Sequence, residues 1–462
     1  MNDTADALVV FGITGDLARR STLPALYDLT QQGLLTCPVI GVGRRDLSRE
    51  ELVQHATEAI TAAKKENVDE KVLHELLSRM SYVGGDAEEG PLFDRLRAAL
   101  DGKTTPAFYL ATPPSMFREV AEELAAAGLA SGGARLLVEK PFGTDLHSAR
   151  ELNQRLTAIF TEERLFRIDH FLGKEPVQDI MYLRFANALF EPVWSREDVD
   201  SIQITLAEDF GVEGRGAFYD RVGAIRDVVQ NHLLQVLALA AMEPPSGGDD
   251  AIPRRRLDVF QSMPSADPKA AVRGQYEGYL DVEGVRAGSD TETFVALPLE
   301  IENWRWAGVP IFIRAGKALP VTATEVVVRL QRVPQLRWGS YHLETPGNDD
   351  IILRVGRNAG VTIMVRAKTP GREVSQPVSL DLDFAAELGE PPTPYERLLS
   401  DALRGDSTLF PRWEVIEETW RIVQPLLDSP PPLELYERGT WGPATADAMA
   451  AGHGGWREPQ AT

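Results

Sequence analysis

The chain contains 462 residues, with 43% hydrophobic and 25% charged side chains, which is typical of a globular protein with two domains. Its net charge of −21 argues against binding to nucleic acid or to an anionic membrane. No apolar run is long enough to span a bilayer, and we expect no signal or transit peptide. Cys37 is the single cysteine, which excludes an intrachain disulfide and fits a cytoplasmic location. No Cys/His group has the spacing of a metal site, so we expect no metal.

The first 175 residues alternate strand-like and helix-like segments. Short apolar runs predict strands at residues 8–11, 39–42, 108–111, 136–138 and 166–168. A helix is predicted over residues 17–32, where Gly33 ends it. Because strands separated by helices indicate a doubly wound parallel sheet, we expect a Rossmann-like α/β domain over residues 1–175.

From residue 176 onward, polar and apolar residues alternate along the predicted strands. These strands are predicted near residues 201–206, 325–330, 351–355, 361–365 and 379–384. Alternation with period two is typical of antiparallel strands with one buried face. Residues 176–462 are therefore expected to form an α+β domain with a large, mainly antiparallel sheet. The segment after residue 443 is rich in Gly and Ala, and we expect it to be loosely ordered.

The first predicted strand runs into Gly12-Ile13-Thr14-Gly15-Asp16, and the predicted helix opens at Leu17. Glycines at such a turn allow a pyrophosphate to approach the backbone at the helix N-terminus. The motif is shorter than the full dinucleotide-binding fingerprint, so a plain turn is the alternative. The second strand ends in Gly43-Arg44-Arg45, where NAD enzymes carry an acidic residue. Because a guanidinium can pair with a 2′-phosphate, Arg44 indicates that the cofactor is NADP. The alternative is that both arginines are solvated surface residues.

Three later strands are predicted to end in residues that could contact a ligand. They run into Thr112-Pro113-Pro114, Glu139-Lys140-Pro141 and the segment from Asp169-His170 to Lys174. Because ligands bind beyond the carboxyl ends of parallel strands, we expect these residues along one edge of the sheet. Lys140, His170 and Lys174 would then form the cationic cluster that an anionic substrate requires in so acidic a chain. The alternative for any one lysine is a solvated surface charge.

A second candidate histidine lies in an apolar segment of the second predicted domain. On an α-helix, Asp227, Asn231 and Gln235 would form one polar stripe, with His232 at its edge. Polar residues in a buried helix need partners or a ligand. Imidazole is a suitable general base near neutral pH, and a carboxylate partner would fix its tautomer. The alternative is a hydrogen-bonded histidine of the core.

These segments together resemble the glucose-6-phosphate dehydrogenase family over residues 8–320, and more weakly to about residue 427. The matching motifs lie at residues 12–18, 139–143, 167–175, 214–219, 225–235 and 314–319. Among them, Arg-Ile-Asp-His-Phe-Leu-Gly-Lys-Glu at 167–175 is highly specific. The resemblance implies oxidation of D-glucose 6-phosphate at C1 to 6-phospho-D-glucono-1,5-lactone, with hydride transfer to NADP. It also implies the first step of the oxidative pentose phosphate pathway and a homodimer or homotetramer joined through the large sheet.

The resemblance also implies roles for individual residues. His232 would be the general base for the C1 hydroxyl, and Asp169 the carboxylate that orients it. The implied substrate residues are His170 and Lys174 for the phosphate, Glu208 and Asp227 for sugar hydroxyls, Lys317 from the second domain, and Lys140 between sugar and cofactor. The implied NADP-binding residues are Gly12, Thr14, Gly15, Asp16, Leu17, Arg44 and Lys140.

Three positions depart from the family pattern around the substrate phosphate. Ser21 and Thr322 lie where basic residues are common, and Phe171 replaces a usual tyrosine. Each lost hydrogen bond would cost roughly 0.5–3 kcal/mol, so we expect weaker dependence on the phosphate than in members that keep these groups. Two alternatives remain open: a sugar dehydrogenase of the glucose–fructose oxidoreductase type, and a non-catalytic NADP-binding regulatory subunit. The sequence also leaves open the NADP-to-NAD preference and a second, structural NADP site.

Overall fold

The computed structural model of the chain describes residues 4–65, 67–85, 90–248, 250–334, 337–338, 341–342, 348–356, 358–372 and 374–460. The chain divides into two compact units. The first unit comprises Met1–Lys174, Ser246–Pro253 and Pro392–Glu417, and the second comprises Glu175–Pro245, Arg254–Pro391 and Glu418–Thr462. The predicted boundary after residue 175 is a single cut, whereas the first unit also contains two later segments of chain.

The first unit contains a six-stranded sheet in the order β3-β2-β1-β4-β5-β6, and all of its strand pairs are parallel. Its strands are β1 Ala7–Phe11, β2 Val39–Gly43, β3 Met80–Gly84, β4 Pro106–Leu110, β5 Arg135–Glu139 and β6 Leu165–Ile168. Its helices are α1 Leu23–Gln31, α2 Arg49–Lys64, α3 Glu70–Arg79, α4 Gly90–Ala99, α5 Phe117–Ala126 and α6 Leu146–Thr157. This is the strand order of the Rossmann fold, so the predicted doubly wound parallel sheet is confirmed.

Both faces of this sheet are covered, and β1 shows how. Ala7, Val9 and Phe11 pack into one apolar cluster, whereas Leu8 and Val10 pack into another. Since successive side chains of a strand point to opposite faces, a strand buried on both faces is apolar throughout. The continuous apolar runs in the sequence reflect this burial. The sequence did not predict β3, which lies at the sheet edge and has exposed and half-buried positions.

Helix α12 (Pro394–Arg404) returns to the first unit from late in the chain. Its buried leucines, Leu398, Leu399 and Leu403, join the apolar cluster that contains Leu8. The carbonyl of Leu403 accepts hydrogen bonds from Ala5 N at 2.7 Å and from Arg135 Nη1 at 2.8 Å. The helix begins with a capping box at Thr393, which satisfies its first N–H groups. These contacts complete the core of the first unit with residues that a single domain boundary assigns elsewhere.

The second unit contains a nine-stranded sheet in the order β16-β15-β14-β11-β7-β10-β9-β8-β17. Its strands are β7 Val199–Ala207, β8 Val272–Tyr276, β9 Phe294–Leu299, β10 Ile311–Gly316, β11 Ala323–Leu330, β14 Asp350–Arg354, β15 Gly360–Lys368, β16 Ser375–Asp383 and β17 Leu433–Tyr436. The strands β12 Arg337–Trp338 and β13 Tyr341–His342 form a separate pair. Most pairs are antiparallel, as predicted, but β7 is parallel to β10 and β8 to β17.

The remaining helices are mostly short. They are α7 Glu175–Phe185, α8 Gly216–Tyr219, α9 Leu234–Ala241, α10 Ala251–Gln261, α11 Phe384–Leu388, α13 Trp413–Asp428 and α14 Ala444–Asp447. Two segments are π-helical, Ala18–Thr22 and Ile225–Leu233. The 3-10 helices are Pro114–Met116, Glu162–Arg164, Glu191–Val193, Tyr279–Asp281 and Ala448–His453. No helix in the described parts of the chain is both long and apolar enough to cross a membrane.

The segment after residue 443 is held in place, so the expectation of loose order was wrong. The guanidinium of Arg314 lies 4.7 Å from the ring centre of Trp456. Arg329 Nη1 donates to the carbonyls of His453 at 2.6 Å and Gly455 at 2.8 Å. Composition concealed this arrangement because a few anchoring residues, rather than the abundant Gly and Ala, fix the segment.

Candidate active site

The turn after β1 brings the backbone close to the neighbouring strand. Gly12 has a φ of 79°, and a Cβ atom there would lie 3.2 Å from the carbonyl carbon of Ala111, which follows β4. Only glycine fits such a position without strain. Gly15 N donates to the carbonyl of Gly12 at 2.9 Å, which closes the turn before the helical segment begins at Asp16. The turn therefore has the shape that lets a pyrophosphate approach the backbone.

The end of β2 lies beside this turn. A Cβ atom on Gly43 would lie 3.6 Å from Thr14 Oγ1, so the two loops are in contact. Arg44 follows directly and its side chain is exposed. Tyr82 on β3 donates a hydrogen bond to the carbonyl of Arg45 at 2.6 Å, which fixes the backbone after β2. The predicted dinucleotide residues Gly12, Thr14, Gly15 and Arg44 are thus brought together at the carboxyl ends of β1 and β2.

Strands β5 and β6 are parallel neighbours, so Lys140 and Asp169 follow them at the same edge. Asp169 is buried, and its Oδ1 accepts a hydrogen bond from Phe171 N at 3.0 Å. Its carbonyl accepts another from Leu172 N at 3.0 Å. These two bonds hold the turn after β6 in one conformation. They fix a carboxylate at the position where the sequence predicted it.

The replacement of tyrosine by Phe171 leaves an aromatic contact in place. Lys174 Nζ lies 3.6 Å from the ring centre of Phe171, within the range of a cation–π interaction. The rings of His170 and Phe171 lie 5.3 Å apart in an edge-to-face arrangement. Phe171 therefore contacts both residues predicted to bind phosphate, although it has no hydroxyl to donate.

Glu139 ends β5 immediately before Lys140, and sequence analysis gave it no role. Its side chain is buried, and Tyr109 Oη donates to its Oε1 at 2.8 Å. Tyr395 on α12 donates a second hydrogen bond. Burial raises the pKa of Glu139 to about 7, although the two tyrosine hydroxyls and Lys140 act to lower it. The carboxyl edge of the first sheet thus carries a buried group that exchanges a proton near neutral pH.

In the second unit, β7 and β10 form a parallel pair, so their carboxyl ends lie side by side. Glu208 follows β7 and Lys317 follows β10, and Glu208 N donates to the carbonyl of Gly316 at 3.0 Å. Lys317 Nζ forms an ion pair with the Glu208 carboxylate and lies 3.9 Å from Asp227 Oδ2. Three residues predicted to contact the substrate are therefore brought together within one unit.

Two rings that sequence analysis left without a role flank Lys317. Its Nζ lies 5.4 Å from the ring centres of both Phe210 and Tyr219. Tyr219 occurs in one of the motifs that resemble the family, but sequence spacing did not show what it contacts.

Thr322 lies in the segment that lacks a basic residue. Its hydroxyl donates a hydrogen bond to the Asp209 carboxylate and accepts one from Asp209 N at 3.1 Å.

His232 lies on the π-helix Ile225–Leu233, not on the predicted α-helix. In a π-helix the backbone hydrogen bonds join residues five apart, so Asp227 and His232 share a face. The predicted α-helix is therefore wrong over residues 225–233, and Gln235 lies beyond the π-helix, on α9. Asn231 Nδ2 donates to the carbonyl of Arg226 at 3.1 Å, and Gln235 Oε1 accepts from buried Arg256 at 3.1 Å. The side chain of His232 is 2% exposed.

A Rossmann sheet with a glycine turn after β1 defines a dinucleotide-binding protein, and the carboxylate and lysine cluster suits a hydroxylated ligand. The family model described as "Glucose-6-phosphate dehydrogenase, NAD binding domain" matches residues 9–179. The model described as "Glucose-6-phosphate dehydrogenase, C-terminal domain" matches residues 181–457. The chain belongs to the glucose-6-phosphate dehydrogenase family.

Individual relatives agree with these matches. Glucose-6-phosphate 1-dehydrogenase 1 of Mycobacterium tuberculosis is 50% identical over 456 residues, which cover 98% of this chain and 97% of the relative. The crystal structure of glucose-6-phosphate 1-dehydrogenase from Mycobacterium avium has a TM-score of 0.92 and 49% identity, with 100% of both chains covered. A glucose-6-phosphate dehydrogenase in complex with its substrate glucose-6-phosphate has a TM-score of 0.90 and 34% identity, again with 100% of both chains covered.

Proposed function

We propose that this chain oxidises D-glucose 6-phosphate at C1 to 6-phospho-D-glucono-1,5-lactone and passes the hydride to NADP, the first step of the oxidative pentose phosphate pathway. The observation that carries the proposal is the match of residues 9–179 and 181–457 to the two domain models of one enzyme family. The relative at 50% identity covers 98% of the chain, so both the nucleotide-binding and the sugar-binding parts are represented.

In the proposed reaction, His232 is the general base. Its imidazole removes the proton of the C1 hydroxyl, the O–H electron pair forms the carbonyl, and the C1–H bond breaks to release hydride. Bound NADP supplies the hydride acceptor. Asp169 is proposed to orient the imidazole and to stabilise the imidazolium that forms. The burial of His232 supports this role, because a base shielded from water keeps its proton transfer directed at the substrate.

The substrate has two chemically different ends, and the proposed binding residues differ in the same way. Glu208 and Asp227 can accept hydrogen bonds from sugar hydroxyls, and Lys317 can donate one. Together these three residues offer both acceptors and donors, which suits the hydroxyl groups of a sugar. His170 and Lys174 offer donors to a phosphate, with Lys140 between sugar and cofactor.

The residues present fit a dinucleotide. At Gly12, a Cβ atom would lie 3.2 Å from the carbonyl carbon of Ala111, so glycine is required for the tight turn over which a pyrophosphate binds. The exposed guanidinium of Arg44 can pair with the 2′-phosphate of NADP. The residues proposed to hold the cofactor are Gly12, Thr14, Gly15, Asp16, Leu17, Arg44 and Lys140.

The assembly proposed is a homodimer or homotetramer joined through the large sheet, in the cytoplasm. Strand β16 is one edge of that sheet, and an apolar groove runs between β15–β16 and helix α7. Tyr182, Leu380, Leu382 and Leu388 line this groove and are exposed in the single chain. Exposed apolar groups grouped in this way are typical of a protein interface.

Steady-state NADPH formation tests the function. We expect turnover with glucose 6-phosphate to exceed turnover with glucose, and NADP to be used in preference to NAD. No NADPH formation that depends on glucose 6-phosphate would refute the proposal. The ratio of turnover with glucose to turnover with glucose 6-phosphate measures how strongly the enzyme depends on the phosphate. Because of Ser21, Phe171 and Thr322, we expect this ratio to be higher than in a family member that has basic residues and a tyrosine at these positions.

A further inference from the structure

Glu292 lies two residues before β9, in the second unit, and is 5% exposed. It supplies two acceptors to the start of the π-helix that carries His232. Its carbonyl accepts from Ala224 N at 3.1 Å, and its carboxylate Oε1 accepts from Ile225 N at 3.1 Å. The first N–H groups of a helix have no partner within the helix, and here they are buried. One residue that is distant in sequence therefore satisfies two successive N–H groups.

The chain that enters the π-helix is also packed against this carboxyl group. Gly223 has a φ of 71°, and a Cβ atom there would lie 2.7 Å from Cδ of Glu292. A larger residue would have to displace the carboxyl group. The start of the helix is thus held both by hydrogen bonds and by close packing, which leaves it little freedom to slide.

Thr293, the residue after Glu292, is hydrogen-bonded to the backbone of Lys317. The carbonyl of Thr293 accepts a hydrogen bond from Lys317 N at 2.9 Å. The pair Glu292–Thr293 therefore joins the helix that carries Asp227 to the turn that carries Lys317. Lys317 Nζ and Asp227 Oδ2, which lie 3.9 Å apart, are carried by the two segments that this pair connects.

We propose that Glu292 is a positioning residue of the candidate active site: its carboxylate fixes the start of the π-helix and so keeps His232 and Asp227 in register with Lys317. The inference rests on the proposed function, because it assigns Glu292 an effect on the reaction of glucose 6-phosphate. Glu292 does not itself take a proton from the substrate. It acts through the backbone of Ile225.

The test compares E292A, E292Q and E292D by kcat, KM for glucose 6-phosphate, Kd for NADPH and thermal midpoint. We expect E292A to lower kcat about 10- to 100-fold through misplacement of the base, with Kd for NADPH within about twofold of wild type. The amide oxygen of E292Q can still accept from Ile225 N, so its kcat should stay within about threefold. The shorter E292D should lose the contact and lower kcat. E325A is the control, because Glu325 is a buried glutamate of the same unit whose carboxylate lies 3.7 Å from Arg457.

The control E325A should keep the wild-type kcat even if its thermal midpoint falls. If E292A behaves in the same way, the inference is overturned. It is also overturned if E292Q loses as much activity as E292D. If E292A fails to fold, the comparison of E292Q with E292D decides. Hydrogen exchange of residues 225–233 gives a readout that needs no substrate: E292D should speed exchange there and E325A should not, and unchanged exchange overturns the inference. Wild-type turnover of glucose 6-phosphate tests the proposed function separately, so the two failures are distinguishable.

Discussion

The residues that could bind a sugar phosphate carry opposite charges in the two units. Lys140, His170 and Lys174 follow strands of the first sheet, whereas Glu208 and Asp227 surround a single lysine in the second unit. A chain with a net charge of −21 repels an anion in general, so a local group of cations is required where a phosphate binds. Local charge, rather than net charge, therefore determines which ligand this chain can bind.

The clearest prediction for a single residue concerns His232. Replacement by Asn keeps a polar side chain but removes the base, so we expect kcat to fall by about 10²- to 10⁴-fold while NADPH binding is unchanged. The matched control is His74→Asn, on the exposed side of α3. Steady-state kinetics and a fluorescence titration with NADPH provide the measurements. Wild-type kcat in the His232 variant would remove this residue from the mechanism.

Glu139 predicts a dependence of stability on pH. Its pKa is raised from 4.5 to about 7 by burial, so the folded state binds an additional proton between these values. The contribution of Glu139 to the free energy of unfolding is therefore complete below its unfolded pKa of 4.5. It is lost as the pH rises through the folded pKa of about 7, by about 3 kcal/mol in total. The thermal midpoint of wild type should fall relative to that of Glu139→Gln between about pH 5 and about pH 8.

The exposed Glu122 on α5 offers the control for this experiment. Glu122→Gln removes a carboxyl group that folding leaves in water, so its midpoint should follow that of wild type at every pH. If the thermal midpoints of wild type and Glu139→Gln differ by the same amount at every pH, the raised pKa of Glu139 is contradicted.

At the scale of elements, the ends of strands and the start of one helix place the candidate site. The parallel pair β7 and β10 sets Glu208 beside Lys317, although most of that sheet is antiparallel. The π-helix shifts His232 by one position relative to an α-helix, and so brings it to the face of Asp227. Both features depend on contacts between residues distant in sequence. The alternation of polar and apolar residues shows that a segment is a strand, but it does not show which strand is its neighbour in the sheet.

The turn after β1 gives a prediction for an element. Gly12→Ala should raise KM for NADP at least about tenfold, because the added methyl group meets the backbone of Ala111 and displaces the turn. The control is Gly102→Ala, where φ is also positive, at 75°, but no atom lies within 4 Å of the added Cβ. Both variants strain the backbone, and only the first closes the space beside the cofactor loop. An equal effect of the two on KM would show that close approach at Gly12 is unimportant.

For the whole molecule, the sequence predicted the fold class because burial patterns are local. Apolar runs identified five strands of the first sheet, and period-two alternation identified strands of the second. The return of α12 to the first unit was not predictable in this way, since its leucines pack against strands that lie some hundreds of residues earlier. Candidate site residues at strand ends could be predicted because topology gathers them at one edge. Phe210, Tyr219 and Glu292 were missed because their contacts are made only in three dimensions.

The assembly gives the final prediction, and the two edges of the large sheet make it testable. Leu380 on β16 is 59% exposed at one edge, and Leu435 on β17 is 66% exposed at the other. Among the described residues, further exposed apolar side chains lie in one groove with Leu380 at the β16 edge, namely Tyr182, Leu382 and Leu388. We therefore expect self-association through the β16 side, where burial of apolar area contributes about 25 cal/mol per Å².

A charge at the centre of this groove should separate the subunits. Leu380→Glu is expected to shift the protein towards monomers in sedimentation equilibrium, because an unpaired carboxylate in an apolar interface is costly. Leu435→Glu changes the same residue type at a similar exposure on the opposite edge and should leave the mass unchanged. Dissociation by Leu435→Glu but not by Leu380→Glu would place the interface at β17 instead. Because β7 and β10 lie inside the sheet and not at its edge, the Leu380 monomer should retain the ion pair of Lys317 with Glu208 and measurable turnover.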